Sequence, residues 1–257
     1  MQFKTVWAVY YSGSGSTRRL LRGMAEAAGE ALMLPVRELD YSRPEAREKS
    51  YCFTQTDLVF WGSPTYAGRL PNVLLPFLRG NFIGGGAAAV AVVLYGNRSY
   101  DDALKELCEV LTGNGFLAAA GAAVTAEHAF APALAHGRPN GEDRAAAAEF
   151  ARKTALTLRG REHPIPVTVP GREPIGAYYT PLGLDGEPAR FLKAKPKTDP
   201  EQCTRCGLCA AVCPMGSIPR EEPTECTGIC IKCQGCIREC PAGAKYFDDE
   251  AFLSHRA

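Results

Sequence analysis

The sequence predicts an α/β fold, a doubly wound five-stranded parallel sheet, followed by a second, small cysteine-rich domain. Over residues 1–160, apolar β-rich runs alternate with helical patterns, which is typical of a parallel sheet with helices on both faces. The runs are continuously apolar, as strands buried on both faces require. Nine of the eleven cysteines lie between Cys203 and Cys240, which sets the last part of the chain apart.

The predicted strands and helices follow each other in a regular order. Apolar runs predict strands at residues 3–11, 31–36, 57–61, 87–95 and 116–125. Apolar residues at helical spacing predict helices at residues 17–29, 74–78, 100–111 and 142–158. In this topology, ligands bind beyond the carboxyl ends of the strands. The loops that follow the strands are therefore the candidate binding elements.

Composition excludes several classes of function. The formal net charge of the 257 residues is +1, with 46% hydrophobic and 22% charged residues, so no basic nucleic-acid surface is indicated. No apolar run reaches the ~18 residues that cross a membrane. The first residues show no signal-peptide pattern. We therefore expect a cytoplasmic protein, in which clustered cysteines indicate a metal or cluster site rather than disulfides.

Residues 161–197 differ in character from both flanks. They contain seven prolines and four glycines and show no sustained periodicity. We predict three parts: a first domain at 1–160, a Pro/Gly-rich linker at 161–197 and a cysteine-rich domain at 198–257. The linker is either a simple tether or a strap that fixes the geometry between the two domains.

Two copies of one cysteine spacing occur near the end of the chain. They read C-T-R-C-G-L-C-A-A-V-C-P and C-I-K-C-Q-G-C-I-R-E-C-P, and they supply Cys203, Cys206, Cys209, Cys213, Cys230, Cys233, Cys236 and Cys240. Three thiolates of each C-x2-C-x2-C-x3-C-P copy suit three corners of one cubane cluster. Structural zinc, which takes four ligands as separated pairs, fits this doubled pattern poorly.

The doubled spacing resembles the bacterial two-cluster 4Fe–4S ferredoxins over about residues 198–250. The resemblance implies a small α+β domain with crosswise ligation. One cluster would take Cys203, Cys206, Cys209 and Cys240, and the other Cys213, Cys230, Cys233 and Cys236. Cys226 is left over, either as a spare thiol or as a substitute ligand.

A Ser/Gly/Thr loop follows the first predicted strand. A Walker A loop requires Lys, and a dinucleotide fingerprint requires a third small residue, where this chain has Arg18. A third pattern, (S/T)-x-(S/T)-G-x-T, matches Ser12, Gly13, Ser14, Gly15, Ser16 and Thr17. Hydroxyls and N–H groups at a helix N-terminus hold one phosphate monoester without a cation.

Two further loops lie at the same predicted sheet edge. They read G-S-P-T-Y-A-G-R-L-P, from residue 62, and G-N-R-S-Y-D-D, from residue 96. With the first loop they resemble flavodoxins, which implies FMN with its phosphate on residues 12–17. The flavin ring would lie between Ser63, Pro64, Thr65, Tyr66 and Gly68 on one side and Gly96, Asn97, Arg98 and Tyr100 on the other. Tyr66 and Tyr100 either stack on the ring or only cover the sheet edge.

A long segment precedes the last predicted helix of the first domain. Residues 126–141 include His128 and His136 and are too long for a simple turn. We expect this segment to be either a lid over the flavin or the surface that meets the cysteine-rich domain.

As a whole, the sequence resembles bacterial and archaeal flavodoxin–ferredoxin fusion proteins. The resemblance implies an electron-transfer iron–sulfur flavoprotein that passes single electrons between two 4Fe–4S clusters and FMN. An NAD(P)H-dependent flavin or quinone reductase, with the ferredoxin domain as its electron wire, is the alternative. A redox sensor is a third, although no output module is visible. The expected partner is a redox protein or a small electron donor or acceptor, with a homodimer also open.

Overall fold

A computed structural model describes residues 1–161 and 165–256. The elements in chain order are β1 (Thr5–Tyr10), α1 (Ser16–Leu32), β2 (Val36–Asp40), β3 (Tyr51–Cys52), β4 (Asp57–Pro64), α2 (Leu75–Gly80), β5 (Phe82–Ile83), β6 (Ala88–Tyr95), α3 (Ala103–Gly113), β7 (Leu117–Thr125), α4 (Gly141–Arg159), β8 (Lys197–Thr198), α5 (Leu208–Val212), α6 (Gly235–Arg238), β9 (Lys245–Tyr246) and α7 (Glu250–Arg256). Two short 3-10 helices lie at Pro44–Glu48 and Asn72–Leu74. Within the described ranges, no helix has the length and apolar character to span a membrane.

Five parallel strands form the main sheet in the order β2-β1-β4-β6-β7. Helices cover both of its faces: α1 and α4 pack together on one face, and α2 and α3 lie over the other. β4 and β6 are buried along almost their whole length, with Trp61 and Val90 fully enclosed. The predicted flavodoxin-like, doubly wound fold class is confirmed. The order reverses after β1, so the loops after β1 and β4 lie at the switch point where ligands bind.

The second predicted strand is wrong in position. Helix α1 continues through residues 31–32 and ends at Leu32. Met33 follows it in the left-handed conformation that caps the helix. The strand begins later, at Val36, and only Leu39 of its five residues is buried. Because β2 is an edge strand, it lacks the apolar run that the prediction looked for.

The predicted linker packs against the first domain. Residues 162–164 of it lie outside the described residues. Val167 donates its N–H to Ala118 O at 2.7 Å beside the outer strand β7, and Val169 lies against Gly121. Further on, Tyr179 donates its N–H to Ala67 O at 2.8 Å. Residues 165–180 therefore form a strap along the sheet edge, extending to the loop after β4.

Asp102 anchors this strap. Its carboxylate is 3% exposed and accepts bonds from Arg172 N at 2.8 Å, Arg172 Nε at 2.9 Å and Gly176 N at 2.9 Å. Burial opposes ionisation, but these donors outweigh it and hold the pKa of Asp102 below its ordinary value. The charged carboxylate is thus the form that the folded chain stabilises.

We predict that Asp102→Asn lowers the free energy of unfolding by about 2 kcal/mol, because an amide replaces one acceptor oxygen with a donor. Since the folded pKa lies below the ordinary 3.8, the carboxylate's contribution is complete above that value and is lost as the pH falls through the folded pKa. Urea unfolding at several pH values measures both effects. Asp101→Asn is the matched control, because Asp101 pairs with Arg98 in a partly exposed position. Equal losses in the two variants would contradict the assignment.

Candidate redox site

The loop after β1 presents a row of unpaired N–H groups. Gly15 takes a left-handed conformation, with φ of 84°, and starts the 17-residue helix α1. Ser12 is held in place, since its N–H donates to Ser42 Oγ at 2.7 Å and its Oγ accepts from Arg18 N at 3.2 Å. Among the described residues, none accepts a hydrogen bond from the N–H groups of residues 13–17. Free donors at a helix N-terminus suit a phosphate. Residues 12–17, here called the phosphate loop, therefore suit the phosphate group of the FMN that the sequence predicts.

The loops after β4 and β6 contact each other. Residues 66–69 form a turn in which Ala67 and Gly68 have positive φ, and Gly68 O accepts from Asp102 N at 3.0 Å. A side chain at Gly68 would meet the Asp101 carboxylate. Thr65 N donates to Leu94 O at 2.7 Å and ties this loop to β6. The structure thus brings the two predicted flavin loops together at one sheet edge, with Ser63 buried and Pro64 ending β4.

The two predicted stacking tyrosines lie in different surroundings. The Tyr66 hydroxyl lies 3.1 Å from where a Gly13 Cβ would be, and burial raises the pKa of Tyr66 and of Tyr11 well above the ordinary value. Tyr100 packs edge-on against Tyr95, with ring centroids 5.4 Å apart. Tyr66 therefore closes over the phosphate loop, and Tyr100 packs within its own loop.

The rest of the third loop contacts the strap and the segment before α4. The Arg98 guanidinium stacks 4.2 Å from the centroid of the Tyr179 ring. A side chain at Gly96 would meet His128. Asn97 has a φ of 63°, a conformation that Asn tolerates better than most residues. Arg98 and Tyr179 also border a cavity of about 680 Å³ that is shared by this loop and the strap.

The eight repeat cysteines fall into two groups of four. Cys203, Cys206, Cys209 and Cys240 line one cavity, here called the outer cysteine cavity. Cys213, Cys230, Cys233 and Cys236 line another, the inner cysteine cavity, together with Cys226. Each cavity takes three cysteines from one repeat and the fourth from the other, which is the crosswise grouping of two-cluster ferredoxins.

The spacing of these thiols differs from that of a single-ion site. Within residues 1–161 and 165–256, no three His, Cys, Asp or Glu side chains converge closely enough to hold one metal ion. In a cubane cluster each thiolate binds a different iron, so the four sulfurs stand further apart. The described donor set, four thiols around one cavity, is chemically suited to a 4Fe–4S cluster.

A buried lysine accompanies each cavity. Lys245 is 3% exposed, lines the outer cysteine cavity and donates to Thr198 Oγ1 and Pro223 O, both at 2.6 Å. Lys232 is 7% exposed, lines the inner cysteine cavity and donates to Cys230 O at 3.0 Å. Burial lowers the pKa of Lys232. Each cysteine cavity therefore has one lysine side chain among its lining residues.

The second cysteine repeat lies directly on the phosphate loop. Cys233 Cβ is 2.7 Å from where a Gly13 Cβ would be, and a Cβ on Gly235 would meet Gly13 O. Gly13 itself does not need its glycine for a positive φ. Its missing side chain instead admits the backbone and thiol of the repeat. Gly13 is the first x of the (S/T)-x-(S/T)-G-x-T pattern, a position at which phosphate binding requires no particular residue. The close packing of the second repeat explains why this position is glycine.

Two arginines reinforce this contact. Arg43 donates to Cys213 O at 3.1 Å and to Ala210 O at 3.3 Å. Arg47 donates to Pro214 O at 2.6 Å and to Ser42 O at 2.8 Å. Arg43 directly precedes the 3-10 helix that follows β2, and Arg47 lies within it. The first domain therefore holds the end of the first repeat through that repeat's backbone carbonyls.

Residues 126–141 meet the cysteine-rich domain, the second of their two predicted roles. Glu127 pairs with Arg238 at 3.0 Å, and Arg238 also donates to His128 O at 3.3 Å. Phe130 packs edge-on against Phe252 at 5.0 Å between ring centroids. The His128 ring accepts N–H bonds from residues 130 and 131 and therefore orders the loop. His136 is exposed and pairs with Glu127 at 3.1 Å.

Comparison with known families gives a match over the first cysteine repeat. Residues 196–218 match a family described as a 4Fe-4S binding domain. The chain joins a flavodoxin-like fold to a 4Fe–4S binding segment. A comparison with curated proteins found no match.

Several solved structures resemble the first domain. A flavodoxin from the domain Archaea shares 13% identity over 61% of this chain and 99% of that chain, with a TM-score of 0.40. An azoreductase from Bacillus anthracis str. Sterne shares 15% identity over 60% and 100%, with a TM-score of 0.41. The rubredoxin oxygen:oxidoreductase of Desulfovibrio gigas shares 20% identity, with a TM-score of 0.41. The match covers 62% of this chain and 37% of that chain.

Sequence reasoning missed several residues of this site. Arg43, Arg47, Lys232 and Lys245 carry no motif, because their partners are backbone carbonyls and hydroxyls that only folding brings near. One available signal was overlooked: glycine at position 13, where the loop pattern accepts any residue. An unneeded glycine in a binding loop indicates that another backbone comes close.

We predict that Gly13→Ala and Gly235→Ala each destabilise the packing of the second repeat on the loop by about 1–3 kcal/mol, because a methyl group has no room. Denaturant unfolding of the full chain measures this loss. Gly23→Ala in α1 is the matched control: no atom lies within 4 Å of its added methyl, and alanine favours the helix by ~1 kcal/mol. A similar response in all three variants would contradict the proposed contact.

Proposed function

We propose that this protein is an electron-transfer iron–sulfur flavoprotein that passes single electrons between two 4Fe–4S clusters and FMN. The packing of Cys233 and Gly235 on the phosphate loop carries the proposal. It brings a thiol-lined cavity against the loop that suits the cofactor's phosphate. Electron exchange requires short distances between centres. Because only a ribityl chain joins the phosphate of FMN to its redox-active ring, a cluster in this cavity would lie near the flavin.

Each cluster would be held by one of the two cysteine cavities. Cys203, Cys206, Cys209 and Cys240 would bind one cluster, and Cys213, Cys230, Cys233 and Cys236 the other. When bound, the clusters would supply one-electron steps and the flavin one- or two-electron steps. Lys232 and Lys245 would oppose the negative charge that reduction adds, and so favour the reduced clusters.

The phosphate end of FMN would be held by Ser12, Gly13, Ser14, Gly15, Ser16 and Thr17. The free N–H groups of residues 13–17 and the positive end of α1 would balance the phosphate charge. Tyr11 and Tyr66 are buried beside this loop and exclude water from the interval between loop and cysteine cavity. With raised pKa values, both phenols stay neutral and add no charge there.

We propose a cytoplasmic location, with a redox protein or a small electron donor or acceptor as partner. The described residues give no support for a homodimer.

A reductase is the second candidate, favoured by the cavity of about 680 Å³ beside Arg98, Arg172 and Tyr179. This depression is open to solvent, and one wall belongs to a predicted flavin loop. Anaerobic addition of NADH and NADPH tests this function: rapid bleaching of the flavin would support a reductase, and no bleaching would count against it.

Anaerobic purification with iron, sulfide and flavin quantified tests the main proposal. We expect about eight iron atoms per chain, as two cubane clusters require, together with one FMN. Two zinc ions or no flavin would contradict it.

A single cysteine substitution tests the grouping of the ligands. Cys240→Ala should remove about four iron atoms and leave the inner cysteine cavity loaded, although Cys240 belongs to the second repeat. Cys52→Ala is the control, because Cys52 is exposed and free. Loss of the cluster bound by Cys230, Cys233 and Cys236 would overturn the crosswise grouping.

A further inference from the structure

The two cysteine cavities lie in unequal positions relative to the first domain. The inner cavity includes Cys233, whose side chain contacts Gly13, and Cys213, whose carbonyl accepts from Arg43. Cys236 is buried and Cys233 is partly buried. The inner cavity is therefore the one that borders the phosphate loop.

The outer cavity faces solvent. Cys206 is exposed, and the neighbouring Leu208 is 44% exposed although it is apolar. The described residues that line this cavity form their hydrogen bonds within the cysteine-rich domain: Cys203 N donates to Asp199 O at 3.1 Å, and Arg205 pairs with Glu222 at 2.7 Å. Its exposed edge is therefore accessible to another molecule.

Resting on the proposed function, we propose that the two cysteine cavities work in a set order. The outer cavity, at Cys206 and Leu208, is the docking port for a one-electron carrier protein. The cluster held by the inner cavity exchanges electrons with the flavin, on the side of the cavity that contacts Gly13. Each transfer moves one electron and neither forms nor breaks a bond, and the carrier is oxidised as the chain is reduced, or the reverse.

A second consequence concerns the contact at residue 13. Because Gly13 belongs both to the phosphate loop and to the surface under Cys233, the phosphate and the inner cavity share one backbone segment. An unpaired electron at the inner cavity would then lie close enough to the phosphorus nucleus to broaden its resonance. The outer cavity lacks such a shared segment.

The port is tested with oxidised cytochrome c as the protein acceptor for the reduced full-length holoprotein. Leu208→Arg adds charge and bulk at the outer edge and should slow cytochrome reduction about tenfold. Leu192→Arg (90% exposed, outside the lining of both cysteine cavities) makes the same change elsewhere and should stay within about twofold. Equal slowing in the two variants would overturn the order.

The role of the inner cavity is tested by phosphorus NMR of FMN bound to the holoprotein, before and after full chemical reduction. We expect the phosphate resonance to broaden on reduction, and to broaden less in Gly13→Ala than in Gly23→Ala. An unchanged line width in the wild-type protein would overturn the inner assignment. A chain that binds no FMN would instead contradict the proposed function, while the cytochrome comparison would still report on the port.

Discussion

The contact between Gly13 and the second cysteine repeat is the constraint on which the rest of this structure depends. The loop at residues 12–17 has free N–H groups that suit a phosphate, and at Gly13 it lacks a side chain. Cys233 and Gly235 occupy the space that this leaves. One backbone segment thereby serves two sites. Such a junction tolerates no added methyl group, so its geometry is set by close packing rather than by charge.

The other inter-domain contacts hold that junction in place. Arg43 and Arg47 donate to the carbonyls of Cys213 and Pro214, and Arg238 pairs with Glu127. The strap ties the sheet edge to both predicted flavin loops through Asp102 and Tyr179. These polar contacts, together with the packing of Phe130 against Phe252, position the cysteine-rich module around the close-packed junction.

Much of the fold was predictable because parallel strands that are buried on both faces consist of consecutive apolar residues. β4, β6 and β7 begin within a residue of their predicted starts. The edge strand β2 was not found, since Arg37, Glu38 and Asp40 face solvent and give no apolar run. The same reasoning applies to the site: motif residues were visible, whereas Lys232 and Lys245 became recognisable only through their burial beside the thiols.

The sequence by itself determined the chemistry on offer: two C-x2-C-x2-C-x3-C-P repeats for thiolate ligands, and a Ser/Gly/Thr loop in which Arg18 disfavours two other phosphate modes. Both are local patterns, in which neighbouring residues supply every group. Only the tertiary structure decided that the inner cysteine cavity borders the loop and the outer one faces solvent. That arrangement depends on contacts between residues more than two hundred positions apart, such as Gly13 and Cys233, which no local pattern encodes.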